Sequence, residues 1–164
     1  MHDHENIRFA LTDANSRQEA LLNLLYQTDQ KALGLVSLYF TLSIAMGSVA
    51  IAGLSDDNSI PSSLIVGFSI SAMIFFVGGL FCFRAMKTQN VGFPGRGPEF
   101  WLWAIENEVA FAKAAAEYFK ELDKNIRLNR QNNQDSALAM KRAKMCGAVA
   151  LSAGLATALT IALF

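Results

Sequence analysis

Three stretches of this chain lack charge altogether. No Asp, Glu, Lys, Arg or His occurs from Leu33 to Leu54, from Ser63 to Phe83 or from Met145 to Phe164. That absence excludes several activities. Proton relays, ion-coupled transporters and many intramembrane hydrolases use an ionisable group inside the hydrocarbon, and these stretches offer only Ser, Thr, Tyr39 and Cys. Cysteine is scarce too. Cys82 and Cys146 are the only two, too few for a disulfide framework, and both read as small packing residues in reducing surroundings. Pro61, Pro94 and Pro98 are the only prolines, so no proline interrupts an apolar stretch. The Ser55–Ser62 link contains Asp56 and Asp57 but no cation.

What is present follows the same segregation. The chain has 164 residues, 52% apolar and 17% charged. Its charged share is well below that of an average soluble domain. A helix needs about 20 apolar residues to cross about 30 Å of hydrocarbon, and each stretch meets that length. All fourteen Lys and Arg lie before the first stretch or between the second and third. Lys and Arg collect on cytoplasmic flanks. The expected fold is therefore an all-α membrane protein with three transmembrane helices, at about 33–54, 63–83 and 145–164, and a cytoplasmic helical bundle. The amino terminus is inside and the carboxyl terminus outside. The expected segments are a tail and cytoplasmic amphipathic helix (1–31), a transmembrane hairpin (32–87), a cytoplasmic helical region (88–144) and a terminal transmembrane helix (145–164). The first stretch starts too late for a cleaved signal peptide and reads as a signal anchor.

Local signals refine this outline. Met1–Leu11 is polar and reads as a solvated tail, its His2, Asp3, His4 and Glu5 included; no metal site is expected. Thr12 or Asp13 can cap a helix. From Ala14 the residues Gln18, Leu21, Leu22 and Leu25 recur at helical spacing, and no Gly or Pro breaks the run before Gly34, so it continues into the first crossing. Asp56 to Ser59 is turn chemistry, and Pro61 suits a first helical turn. Asn90–Pro98 is a loop rich in Gly and Pro. Its Phe93-Pro94-Gly95-Arg96-Gly97 lacks the Lys-Ser/Thr pair of a phosphate loop.

Glu99–Asn129 is expected as one amphipathic helix, about 45 Å long, with Trp103 on its apolar face directed to the core. Gln131–Asp135 is expected to interrupt it, and Asp135 or Ser136 to cap the last helix. The cytoplasmic bundle is expected to pair Leu21, Leu22 and Leu25 with Phe111, Tyr118 and Leu122. Small residues let membrane helices approach closely. Gly47 in the first crossing and Ala150, Gly154 and Ala158 in the third are the candidates, either within one bundle or between copies.

No nucleophile, acid–base pair or metal set stands out, and the expectation is a protein that is not an enzyme and needs no cofactor. Arg96, Lys120, Lys124 and Arg127 are the cations best placed to meet an anion. The near balance of charge argues against nucleic acid as a partner; the bilayer and further copies of this chain are the partners expected.

The order of elements is distinctive. A helix passes through Asp29-Gln30-Lys31-Ala32 into a first crossing; a short turn and a second crossing follow; then come a long helix with Tyr118 and Asn129 and a basic approach, Ala139–Lys144, to a last crossing. This resembles the small membrane effectors of bacterial anti-phage systems, namely the Pycsar effector transmembrane domain and the SLATT domain, over roughly Leu21–Phe164. The resemblance implies a multi-pass inner-membrane effector that oligomerises and permeabilises the membrane after a nucleotide second messenger is sensed. It maps no nucleotide-contacting residue. The alternatives from the sequence are a non-catalytic anchor or accessory subunit that holds a partner through Glu99–Asn129, and a small channel or transporter subunit.

Overall fold

A computed structural model describes residues 2–55, 61–86 and 91–163, without the side chains of 2–4, 158 and 160–163. Among the described residues there are four helices and no strand: α1 (His2–Ser55), α2 (Ser62–Ala85), α3 (Pro98–Glu106) and α4 (Phe111–Leu163). The turn expected at Asp56–Ser59 and the side chain of Ala158 lie outside the described residues. α1 and α2 are each long and apolar enough to cross a membrane. Two compact units form, one from residues 1–27 and 88–134, the other from 28–87 and 135–164. Both draw on α1 and α4.

Three boundaries differ from those the sequence suggested. α1 starts at His2, well before Thr12. The Thr12 hydroxyl donates back to the Arg8 carbonyl at 3.0 Å instead of capping a new helix, and nothing before Gly34 stops helical propagation. The expected Glu99–Asn129 helix is two helices. Val109 N–H donates to Ala104 O at 2.9 Å and Glu108 N–H to Ile105 O at 3.1 Å, the bond pair of a Schellman stop. Glu108 takes the left-handed position at φ 49°, where Gly is usual. At Gln131–Asp135 the chain stays helical. Two of its polar side chains face neighbours: Asn132 is buried, and Asn133 Nδ2 donates to Leu21 O at 3.0 Å.

In the unit of residues 28–87 and 135–164, the three helices run up, down and up. Tyr39 and Phe40 lie against Phe75 and Phe76, with ring centroids 5.5 and 5.7 Å apart, and Ser43 reaches Ala72, so α1 and α2 are antiparallel. Ser71 reaches Ala150 and Ser136 reaches Ala85, so α2 and α4 are antiparallel as well. The interior combines small and hydroxyl side chains with Tyr39, Phe75 and Met140. Hydroxyls link all three helix pairs: Tyr39 OH to Ala143 O at 3.0 Å, Ser43 Oγ to Ala72 O at 2.9 Å and Ser71 Oγ to Ala150 O at 3.3 Å. The Tyr39 ring fills the space left by two glycines; a Cβ on Gly78 would stand 2.9 Å from it, and one on Gly147 would overlap the Tyr39 hydroxyl. Many other large apolar side chains point outward. Ile44, Met73 and Leu155 are 69%, 71% and 66% exposed, and Val66, Leu80, Phe83 and Val149 are exposed with them. A water-soluble bundle would bury these groups.

Candidate functional site

The other unit, residues 1–27 and 88–134, is organised around a polar clamp on one glycine. Asn129, fully buried, pairs with both backbone groups of Gly92: Nδ2 donates to Gly92 O at 2.7 Å, and Gly92 N–H donates to Oδ1 at 3.0 Å. Gln18 Nε2, from α1, donates to the same carbonyl at 2.8 Å. Glycine is required because a Cβ here would stand 2.5 Å from Asn125 Cβ. Gln18 is also fully buried, and among the described residues its Oε1 meets no donor.

A second tether fixes the same loop. Gly95, at φ 96°, donates its N–H to Tyr118 OH at 3.0 Å, and that hydroxyl donates to Asn15 Oδ1 at 2.8 Å. Asn15 against Tyr118 and Leu21 against Asn133 make α1 and α4 parallel in this unit. The register sets Leu21 and Leu25 alongside the later turns of α4, beyond Phe111. Tyr118 and Leu122 are buried, Leu21 and Leu25 half-buried, and Phe111 exposed. The core here is more polar than the sequence pattern suggested. Gln18 lies in the row of Leu21, Leu22 and Leu25, and Asn125, Asn129 and Asn132 continue the row of Leu122. Amides recurring on an apolar stripe are the signal that could have located the clamp.

The four candidate anion-binding cations are not alike. Arg96 lies 3.9 Å from a Glu121 oxygen, and its guanidinium covers the Phe100 ring at 4.9 Å. Lys120 donates to Glu117 at 2.6 Å, which draws that carboxyl below its usual pKa. Arg127 contacts Asp123 at 2.7 Å. Lys124 is exposed. Three of the four therefore face a carboxylate already. The Lys120–Glu117 and Arg127–Asp123 pairs are exposed, so solvent screens them.

α3 departs from expectation in orientation as well as length. Trp103 is 45% exposed and Ile105 73%, not directed to a core. Nine residues cannot bury every apolar face once the Schellman stop turns the chain. Of the candidate membrane-packing residues, Ala150 is fully buried and Gly154 half-buried beside Ser71. Gly47 is half-buried, with open space where a Cβ would stand. Cys82 is buried and Cys146 half-buried, both as free thiols.

No family model, no curated protein and no solved structure matches this chain.

Proposed function

We propose that this chain is a self-associating, multi-pass protein of the bacterial inner membrane that disrupts membrane integrity when its cytoplasmic helices receive a signal. The observation that carries the reading is the outward-facing apolar surface of residues 28–87 and 135–164. Around a core of Tyr39, Phe75, Met140 and small residues, many large apolar side chains such as Ile44, Met73 and Leu155 face outward, and hydroxyls bond across the helix pairs, a distribution that suits hydrocarbon. α4 contributes its apolar stretch to the same bundle, where a Cβ on Gly67 would overlap Thr157. This supports a third crossing. With the up-down-up order and the placement of the cations, it supports a cytoplasmic amino terminus and an external carboxyl terminus.

Self-association is supported by α1. Gly34, Ser37, Thr41, Ala45, Ser48 and Ala52 recur at steps of three or four residues, and all are exposed. A Cβ on Gly34 would meet nothing within 4 Å. A face this smooth lets a second helix approach closely. The unit holding the Gly92 clamp is the proposed receiver. A nucleotide second messenger is the signal class that the resemblance to anti-phage effectors implies, and no catalytic role is assigned.

The test is induced expression with and without phage challenge, reading growth and uptake of a membrane-impermeant dye. Arrest and dye uptake are expected, both weakened by a Gly34→Leu, Ala45→Leu double substitution. Normal growth and an intact membrane potential under both conditions would overturn the reading. The exposed Leu102, Trp103 and Ile105 of α3 favour a second reading, an accessory subunit docking a partner; one stoichiometric partner in a pull-down, without toxicity, would support it.

A further inference from the structure

A groove of about 510 Å³ opens between α1 and α4 within the unit of residues 28–87 and 135–164. Its position is set by sequence: Lys31 stands just before the Leu33–Leu54 stretch, and Lys144 just before Met145–Phe164. Lys31, Lys141 and Lys144 all line it, with Thr28 beside them. No carboxylate lines it, and these three lysines make no salt bridge among the described residues. The remaining wall is apolar, from Met140, Met145 and Ala148. Arg142 does not share the groove; its guanidinium sits 5.9 Å from the centre of the Phe81 ring.

Three ammonium groups around one cavity repel each other unless an anion lies among them. The cavity is larger than a free phosphate needs, and its apolar wall would gain nothing from one. Basic pockets between membrane helices on the cytoplasmic side suit anionic headgroups. We propose that this groove binds an anionic phospholipid, with the phosphate among Lys31, Lys141 and Lys144 and the start of an acyl chain along Met145 and Ala148. The site rests on the reading that both helices pass into the bilayer at this level. Its effect is to fasten α1 to α4 only where the surrounding leaflet carries negative lipid.

The experiment uses the full chain purified in a neutral detergent, with the thermal unfolding midpoint as readout. Phosphatidylglycerol, phosphatidylcholine and inorganic phosphate are added separately. Phosphatidylglycerol is expected to raise the midpoint by roughly 3 °C or more, and the other two to leave it unchanged. The rise is expected to shrink at high salt. A K31Q/K141Q/K144Q variant is expected to keep the lipid-free midpoint and lose the rise, whereas R8Q/K113Q/R130Q keeps the rise. If the lysine variant fails to fold, Ala148→Trp, which fills the apolar wall without changing charge, must abolish the rise. Equal shifts from both lipids, a rise that survives in both groove variants, or an equal shift from inorganic phosphate would each overturn the lipid site while leaving the membrane reading intact. A chain that stays soluble without detergent would overturn both.

Discussion

At the scale of single residues, the side chains of Gln18, Asn129 and Tyr39 each make a hydrogen bond that an apolar residue would lose. Asn129 satisfies both the donor and the acceptor of Gly92, so Asn129→Leu strands a buried N–H. The expected cost is about 1–3 kcal/mol, with faster hydrogen exchange across residues 91–97; unchanged exchange there would show that the clamp does not hold the loop. Tyr39→Phe removes the bond to Ala143 O while keeping the ring between Gly78 and Gly147. A hydrogen bond between membrane helices averages roughly 0.6 kcal/mol and reaches about 1.7, so a small drop in unfolding midpoint is expected, and a large one would mean the ring itself moves. Glu108 predicts the opposite sign. A left-handed backbone strains any residue with a Cβ, so Glu108→Gly is expected to stabilise by about 0.5–1 kcal/mol. A lower midpoint in thermal unfolding would count against the Schellman stop.

At the scale of elements, two rows of small residues have different surroundings. The α4 row through Ala150 and Gly154 lies against α2, where Ser71 bonds to Ala150. The α1 row from Gly34 to Ala52 has no neighbour in its own copy at Gly34. Gly154→Leu is therefore expected to destabilise the bundle by about 1–3 kcal/mol, as overpacking does. Ala45→Leu is expected to leave the unfolding midpoint unchanged and to lower the oligomer mass seen by light scattering in detergent. If Gly154→Leu instead changed mass without changing stability, the two rows would have exchanged roles. α3 and α4 add a lesson about helix ends. Asn107-Glu108-Val109-Ala110 contains neither Gly nor Pro, so the stop between them depends on backbone bonds that periodicity does not encode.

At the scale of the molecule, the proposed function depends on which side of the bilayer each charged segment occupies. A periplasm-sensitive reporter fused after Phe164 is expected to report an external location, and one fused at the amino terminus a cytoplasmic one. A cytoplasmic carboxyl terminus would remove the third crossing, and with it the up-down-up insertion. The hairpin would remain, because α1 and α2 each carry enough apolar length on their own.

The sequence by itself determined the helical class and the apolar stretches. Those properties follow from composition and period along one strand of chain, which hydrophobicity and missing helix breakers set locally. It also marked the unbroken passage of α1 through Lys31, because no Gly or Pro stands before Gly34. Only the tertiary structure decided what depends on two distant segments meeting. Gln131–Asp135 looks like a break in isolation, but remains helical with Asn132 buried and Asn133 bonded to Leu21. Nothing along the chain pairs Gln18 with Asn129, yet both donate to the Gly92 carbonyl. Lys31, Lys141 and Lys144, more than a hundred residues apart along the chain at the extremes, share a groove because α1 and α4 run side by side. A polar group's partner is fixed by geometry in space, and that geometry exists only once the helices have packed.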